Sequence, residues 1–111
     1  MLGKLEEITM LGVVQAGAGA TAANVYKEIA AEGKVSAFGA VFTTLDRLED
    51  KKFLRSKIRM VATGTGQKER KVYELTGVGQ RTLRESLAVT RNLAAKVGWA
   101  FSFAGGINEV V

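Results

Sequence analysis

The strongest constraint on the fold is a change of hydrophobic period between residues 35–49 and residues 53–75. In the first stretch four apolar residues recur at the spacing of an amphipathic helix. We expect these four to face inward: Phe38, Val41, Leu45 and Leu48. From Phe53 onward the period changes to two, which is typical of a half-buried β-strand.

The period-two stretch predicts a β-hairpin. One face of its first strand carries Leu54, Ser56, Ile58 and Met60, and the other carries a cationic row, Arg55, Lys57 and Arg59. Residues 62–67 have the composition of a hairpin loop, and residues 68–75 form the return strand. Because a two-stranded hairpin is marginally stable alone, we expect it to lie against helices through Leu54, Ile58, Tyr73 and Leu75.

Three further helices are predicted, over residues 2–14, 22–32 and 77–97. Thr21 and Thr76 have the character of N-caps, and Gly33 follows the second helix where a left-handed conformation is common. The second and central helices, joined by a short turn, form a helix-turn-helix. The predicted fold is mainly α with a β-hairpin: a winged helix-turn-helix over residues 1–75, a C-terminal dimerisation helix over 76–97 and an apolar tail over 98–111.

The positive charge is concentrated in one segment. Residues 51–71 contain eight of the 16 Lys and Arg side chains and one of the 11 acidic ones, so their formal charge is +7. The remaining residues carry −2, which completes the net charge of +5. A nearly neutral body with one cationic segment favours a polyanionic partner.

Composition excludes much of the usual chemistry. The chain has no cysteine and no histidine, which removes disulfides, thiolate nucleophiles and the common zinc ligand sets. Gly17-Ala18-Gly19-Ala20-Thr21-Ala22 imitates a dinucleotide fingerprint, but no alternation of strands and helices follows it, so we interpret it as a turn. The carboxylate pairs Glu6/Glu7 and Glu49/Asp50 are interpreted as solvated faces or as partners of helix dipoles. We therefore predict no catalytic residue, metal or cofactor.

The sequence gives no indication of a membrane protein. No apolar run approaches the length of a membrane span, and acidic residues stand where a secretory signal would have its apolar core. The expected location is the cytoplasm.

The outward face of the central helix predicts DNA binding. Small residues there permit close approach, while hydroxyls and one guanidinium offer hydrogen bonds to bases and phosphates. An inward-packed helix with an incidentally small outer face is the alternative. The predicted DNA-contacting residues lie on this helix and the hairpin: Ser36, Gly39, Ala40, Thr43, Thr44, Arg47, Arg55, Lys57, Arg59, Gln67, Lys68 and Arg70. Thr43 and Arg47 are expected at or near base edges.

A second hypothesis is a protein-interaction module whose cationic hairpin binds an acidic protein.

The last helix is expected to form a homodimer. It is long for the surface that remains within one chain, although packing back on the first helix is an alternative compatible with a dimer. The predicted interface comprises Leu5, Leu83, Leu87, Thr90, Leu93, Ala94 and Val97. In the tail, Trp99, Phe101 and Phe103 either pack on the dimer or line a pocket for a flat hydrophobic ligand.

Two motifs resemble the PadR family of bacterial transcriptional regulators. The first is residues 39–49 followed by Lys52-Phe53-Leu54, and the second is residues 70–79, Arg-Lys-Val-Tyr-Glu-Leu-Thr-Gly-Val-Gly. The resemblance covers about residues 2–93. It implies a winged helix-turn-helix homodimer that binds a pseudo-palindromic operator, usually as a repressor, with the last helix as the dimerisation element. Phe42 stands where the family usually has tyrosine.

Overall fold

The computed structural model of the protein describes residues 2–33 and 37–98, which form four helices and one antiparallel hairpin. The helices are α1 (Lys4–Ala16), α2 (Ala22–Ala31), α3 (Phe38–Asp50) and α4 (Gly77–Ala94), and the strands are β1 (Leu54–Thr63) and β2 (Gly66–Leu75). A single 3-10 turn, Gly17–Gly19, joins α1 to α2. None of the helices in the described ranges has the length and apolarity needed to cross a membrane.

The core forms where α1, α2 and α3 meet the base of the hairpin. Its fully buried side chains include Met10, Val25, Leu45 and Leu48. Burial of each such aliphatic side chain stabilises the fold by about 1.5–3 kcal/mol. Gly12 permits the close approach of α1 to α2, because a Cβ at this position would lie 3.1 Å from a methyl group of Val25.

The helix ends follow the predicted chemistry. Thr21 Oγ1 accepts a hydrogen bond from the backbone N–H of Asn24 at 3.1 Å, and Thr76 Oγ1 accepts one from Gly79 at 2.9 Å. Gly33 has a φ of 85°, the left-handed conformation expected after α2. The predicted boundaries are correct to within about three residues; the largest differences are at the start of α3 and the end of α4.

The glycine-rich stretch before α2 is a turn, as interpreted from the sequence. Residues 11–14 belong to α1 and not to a strand, so the strand that a dinucleotide fingerprint requires is absent from this position. The turn also contributes to the attachment of the hairpin, because the carbonyl of Ala20 accepts a hydrogen bond from the N–H of Tyr73 at 2.9 Å.

The hairpin is confirmed, but it projects further than predicted. Its strands pair from Leu54↔Leu75 to Thr63↔Gly66, so the loop is only Gly64 and Thr65. Leu54 is buried at the base, whereas Ile58 is 60% exposed, and the expectation that Ile58 packs on the helices is wrong. The physical reason is that the hairpin extends past the helical body beyond its base. Side chains in this outer part therefore contact mainly the neighbouring strand of the hairpin.

Phe38 was expected to face the core, and this expectation is also wrong. It is 43% exposed because the first turn of α3 lies at the edge of the body. Its ring packs edge-to-face on Tyr26 of α2, with centroids 5.6 Å apart, and on Phe42 at 6.2 Å. Such aromatic pairs add about 0.5–1.5 kcal/mol beyond the area that they bury.

Helix α4 is divided between two environments. Its first half packs on the body: Leu83 is buried in the core, and the hydroxyl of Ser86 donates a 2.7 Å hydrogen bond to the buried carboxylate of Glu7. The interpretation of Glu7 as part of a solvated face is therefore wrong. Its second half has few neighbours, and Leu93 is 58% exposed. The predicted packing on α1 therefore holds for one half of the helix and leaves the other half available.

Gly79→Ala is expected to destabilise the fold by about 3 kcal/mol, because its Cβ would lie 2.0 Å from the carbonyl oxygen of Phe53. Gly77→Ala is the matched control, since the same addition two residues earlier meets open space. From its urea denaturation we expect a free energy of unfolding within about 1 kcal/mol of the wild-type value. Equal midpoints for the two variants would contradict the close contact.

Candidate functional site

The outward face of α3 has the predicted composition. Gly39, Ala40, Thr43 and Arg47 are exposed, and a Cβ added at Gly39 would meet no atom within 4 Å. This face therefore combines an unobstructed first turn with a hydroxyl and a guanidinium further along. Ser36, which was predicted to lie at the same end, is outside the described residues.

Thr44 does not belong to this face, and its predicted contact with DNA is wrong. Its side chain is buried on the same side of α3 as Val41, Leu45 and Leu48. Its hydroxyl donates a 2.7 Å hydrogen bond to the carbonyl of Ala40. Helical geometry explains the difference, because neighbouring residues point about 100° apart and only Thr43 lies outside.

The side of α3 next to the hairpin is acidic. Glu49 accepts a 2.6 Å hydrogen bond from the hydroxyl of Ser56 on β1 and lies 3.1 Å from the ammonium of Lys71 on β2. Asp46, one turn earlier, lies 3.8 Å from the same ammonium. The Ser56 hydroxyl and then Lys71 hold the pKa of the Glu49 carboxyl below its usual range, and Glu49 in turn raises the pKa of Lys71.

These contacts identify the hairpin face that is turned toward α3. Residues opposite one another in the register share a face, so Ser56, Ile58 and Met60 of β1 lie on the same face as Lys71 and Tyr73 of β2. Since Ser56 and Lys71 both reach Glu49, this is the face adjacent to α3. Lys71, Tyr73 and Leu75 occupy alternate positions of β2, so the period of two also places them on one face.

The predicted cationic row lies on the opposite face of the hairpin. Arg55, Lys57 and Arg59 line an open groove of about 620 Å³ between the hairpin and the end of α1. Val14 of α1 and Val72 of β2 contribute apolar surface to its walls. At the hairpin base, therefore, the predicted phosphate-binding residues lie on the hairpin face that is turned away from α3, the helix that was expected to read bases.

Carboxylates on other parts of the chain pair with three of the eight cations of residues 51–71. Lys51 pairs with Glu6 of α1, Arg55 with Glu74 across the strands, and Lys71 with α3. Among the described residues, no ion pair involves the other five: Lys52, Lys57, Arg59, Lys68 and Arg70. The charge that remains for a polyanion is thus concentrated in the outer part of the hairpin, where Gln67 is also exposed.

The sequence reasoning did not select Lys71 or Glu49 as site residues. A signal was present, because a lysine on the face turned toward the body brings its ammonium close to the helices, where a carboxylate can pair with it. What the sequence did not provide was the angle between α3 and the hairpin. That angle determines which carboxylate is within reach.

The predicted dimer residues are also divided by the structure. Leu83 is 5% exposed in the core of its own chain, so its assignment to a dimer interface is corrected. Leu5, Leu87 and Ala94 are partly buried. Thr90, Leu93 and Val97 are exposed on the second half of α4 or just beyond it. The aromatic tail lies outside the described residues.

The described part of the chain contains no cluster of three or more metal-ligating side chains. The candidate functional surface consists of exposed donors on α3 and exposed cations on the hairpin. Such a surface is suited to hydrogen bonding and charge neutralisation.

Comparison with known protein families gives a match over residues 10–85 to the transcriptional regulator PadR-like family. No curated protein sequence matches the chain significantly. Residues 10–85 include α2, α3, the hairpin and the first half of α4.

Solved structures of PadR family regulators have the same fold. The regulator from hypervirulent Clostridium difficile R20291 is 18% identical, with a TM-score of 0.71 over 86% of this chain and 96% of that one. The regulator from Eggerthella lenta DSM 2243 is 30% identical, with a TM-score of 0.64 over 82% and 78% of the two chains. A PadR-like regulator from Bacillus cereus ATCC 14579 is 19% identical, with a TM-score of 0.69 over 85% and 87%. The predicted winged helix-turn-helix is confirmed.

Acid is expected to weaken the attachment of the hairpin to α3. The lowered pKa of Glu49 means that its contacts stabilise the fold above the ordinary carboxyl value of 4.5 and are lost as pH falls through the lower folded-state value. The urea midpoint should therefore decrease between pH 5 and pH 3, and Glu49→Gln should show a smaller decrease. An identical decrease in the variant and the wild type would contradict a contribution from Glu49.

Proposed function

Because this chain belongs to the PadR-like family of transcriptional regulators, we propose that it binds a pseudo-palindromic DNA operator as a homodimer and represses transcription. The observation that carries the proposal is the position of the hairpin beside α3, with the outward face of α3 left open. One duplex can then receive α3 in its major groove and the hairpin on its backbone.

Thr43 and Arg47 are proposed to contact base edges or nearby phosphates, because they are the exposed donors in the middle of α3. Gly39 and Ala40, with Ser36 before them, would allow the start of the helix to approach the groove closely. Asp46 and Asp50 are exposed on the same helix and would be repelled by phosphates, which limits the orientations in which α3 can dock.

The outer part of the hairpin is proposed to neutralise phosphates. The residues assigned to this role are Lys57, Arg59, Gln67, Lys68 and Arg70. Arg55 is withdrawn from the set because its guanidinium is already paired with the carboxylate of Glu74 at the hairpin base. With five to eight phosphates paired across the complex, log K should fall with log salt at a slope of about −5 to −7.

The dimer is proposed to form through the second half of α4. Val89, Leu93 and Val97 are 44%, 58% and 38% exposed, which is unusual for three large apolar residues within nine positions. A second copy of the same helix would cover them. Two copies would also present two α3 helices to two half-sites, as a pseudo-palindrome requires.

In this proposal the protein works in the cytoplasm, and DNA is its partner. A flat hydrophobic effector bound through the aromatic tail remains a prediction from sequence, since the tail lies outside the described residues. Binding of an acidic protein by the hairpin is the competing hypothesis, and the DNA-binding experiment below decides between the two.

Arg47→Ala is expected to reduce the preference for the operator over random duplex by about 1–3 kcal/mol, because a base-reading donor is lost. Lys68→Ala should weaken binding to both duplexes alike and flatten the salt slope by about one. The measurement is a titration of each variant at several salt concentrations, using a duplex that the wild type selects from a random pool.

Two outcomes would count against the proposal. Equal effects of both substitutions on both duplexes would contradict base reading by Arg47. Failure of the wild type to enrich any sequence would instead favour the acidic-partner hypothesis.

Leu93→Glu is expected to convert the dimer into a monomer, because it places a charge in the centre of the proposed interface. Sedimentation at micromolar concentration should give the 11.9 kDa mass of one chain for the variant and twice that mass for the wild type. Val78→Glu is the matched control, since Val78 is 47% exposed at the other end of α4 and should leave the dimer intact. A monomeric wild type would contradict the dimer.

A further inference from the structure

One carboxylate holds both strands of the hairpin against α3. The two oxygens of Glu49 have different partners: one accepts from Ser56 on β1 at 2.6 Å, and the other lies 3.1 Å from Lys71 on β2. Because β1 and β2 are hydrogen-bonded to each other, the two contacts fix the hairpin at two points. Rotation of the hairpin relative to α3 would break at least one of them.

The same carboxylate also changes the charge that the hairpin offers. Lys71 is 43% exposed, so its ammonium is not confined by burial and the side chain can extend into solvent. It is nevertheless paired with Glu49 and, more distantly at 3.8 Å, with Asp46. The ammonium of Lys71 also lies 5.6 Å from the centroid of the Tyr73 ring, and this contact helps to keep the side chain at the hairpin base.

We infer that Glu49 is a specificity-determining residue: it fixes the hairpin beside α3 and withholds the charge of Lys71 from the DNA backbone. The inference rests on the proposed DNA-binding function. Glu49 acts through Ser56 and Lys71 and is therefore a positioning residue that need not touch DNA.

The expected effect on specificity follows from how each kind of DNA complex is stabilised. Binding to random sequence depends almost entirely on neutralised phosphates, and each additional contact adds about −0.9 to the salt slope. A free Lys71 would therefore strengthen binding to random DNA. Binding to the operator depends in addition on α3 and the hairpin engaging at a fixed spacing, which a loosened hairpin would no longer maintain.

Glu49→Gln is the central variant because it keeps the size of the side chain and an oxygen that can accept from Ser56. We expect its salt slope on random duplex to steepen by about 0.9 and its affinity for random duplex at 0.1 M salt to rise on the order of 5-fold. The ratio of operator to random affinity should fall on the order of 5-fold or more. Affinities are measured by fluorescence anisotropy over a series of salt concentrations.

Two variants test whether the steeper slope comes from Lys71. Lys71→Met alone should leave the slope close to that of the wild type, because its charge is already paired. Glu49→Gln combined with Lys71→Met should lose the steepening. If the double variant kept it, the loss of the negative charge of Glu49 would be the cause and the inference would be overturned.

Asp50→Asn is the matched control for charge. It removes an exposed carboxylate one residue away, for which the described residues show no ion pair. It should change the slope by much less than Glu49→Gln does. Equal changes in the two variants would overturn the inference.

Ser56→Ala separates the two roles of Glu49. It removes one anchor of the hairpin and leaves Lys71 paired, so the affinity ratio should fall while the slope on random duplex stays constant. Thermal denaturation of every variant shows whether it is folded. If Glu49→Gln does not fold, Ser56→Ala still tests the positional role, and an unchanged affinity ratio would overturn it.

The result also distinguishes this inference from the proposed function. If the wild type selects no sequence from the random pool, the proposed function itself is wrong. If the wild type does select an operator and Glu49→Gln keeps the wild-type slope and affinity ratio, only the inference about Glu49 is wrong.

Discussion

The burial of Tyr73 attaches the hairpin to the helical body, and the geometry of the candidate site depends on that attachment. Its side chain is 2% exposed, and its backbone N–H is bonded to Ala20 at the turn before α2. Leu54 is buried on the partner strand. A hairpin of this kind is marginally stable alone, so its base must be fixed for its outer part to have a defined direction. The exposed outer strands can then carry charge without an apolar contact of their own.

The residue that follows β2 is also fixed to the residue that precedes β1. The carbonyl of Phe53 accepts a hydrogen bond from the N–H of Thr76 at 3.0 Å, and the absence of a side chain at Gly79 leaves room for that carbonyl. The Thr76 side chain meanwhile caps α4. One short junction therefore fixes the base of β1, the end of β2 and the starting direction of α4. The proposed DNA-binding and dimerisation elements are linked through it.

Charge is distributed so that attraction within the chain competes with attraction to a partner. Three cations close to the body, Lys51, Arg55 and Lys71, are paired with carboxylates, whereas Lys68 and Arg70 near the tip have no such partner in the described ranges. The formal charge of the segment thus overstates what it offers to a polyanion. In such an arrangement the affinity for a polyanionic partner depends mainly on the tip of the hairpin. The paired cations at the base hold that tip in position.

The helices and strands of this protein can be predicted from its sequence, because they depend on local chemistry. A change of period from 3.6 to two distinguishes α3 from the strands, and the caps at Thr21 and Thr76 depend on residues only three positions away. The exposed positions Thr43 and Arg47 follow from the same helical period. These features need no knowledge of how distant segments meet.

The way in which those elements pack on one another could not be predicted in this manner. Phe38 and Ile58 fit the apolar pattern of their elements but lie where the body ends, and Thr44 has the chemistry of a contact residue but points into the core. Leu83 belongs to the apolar stripe of α4 and is covered by its own chain. The pairing of Lys71 with Glu49 depends on the angle between α3 and the hairpin. Period and composition do not fix that angle, because it results from the packing of side chains that are far apart in sequence.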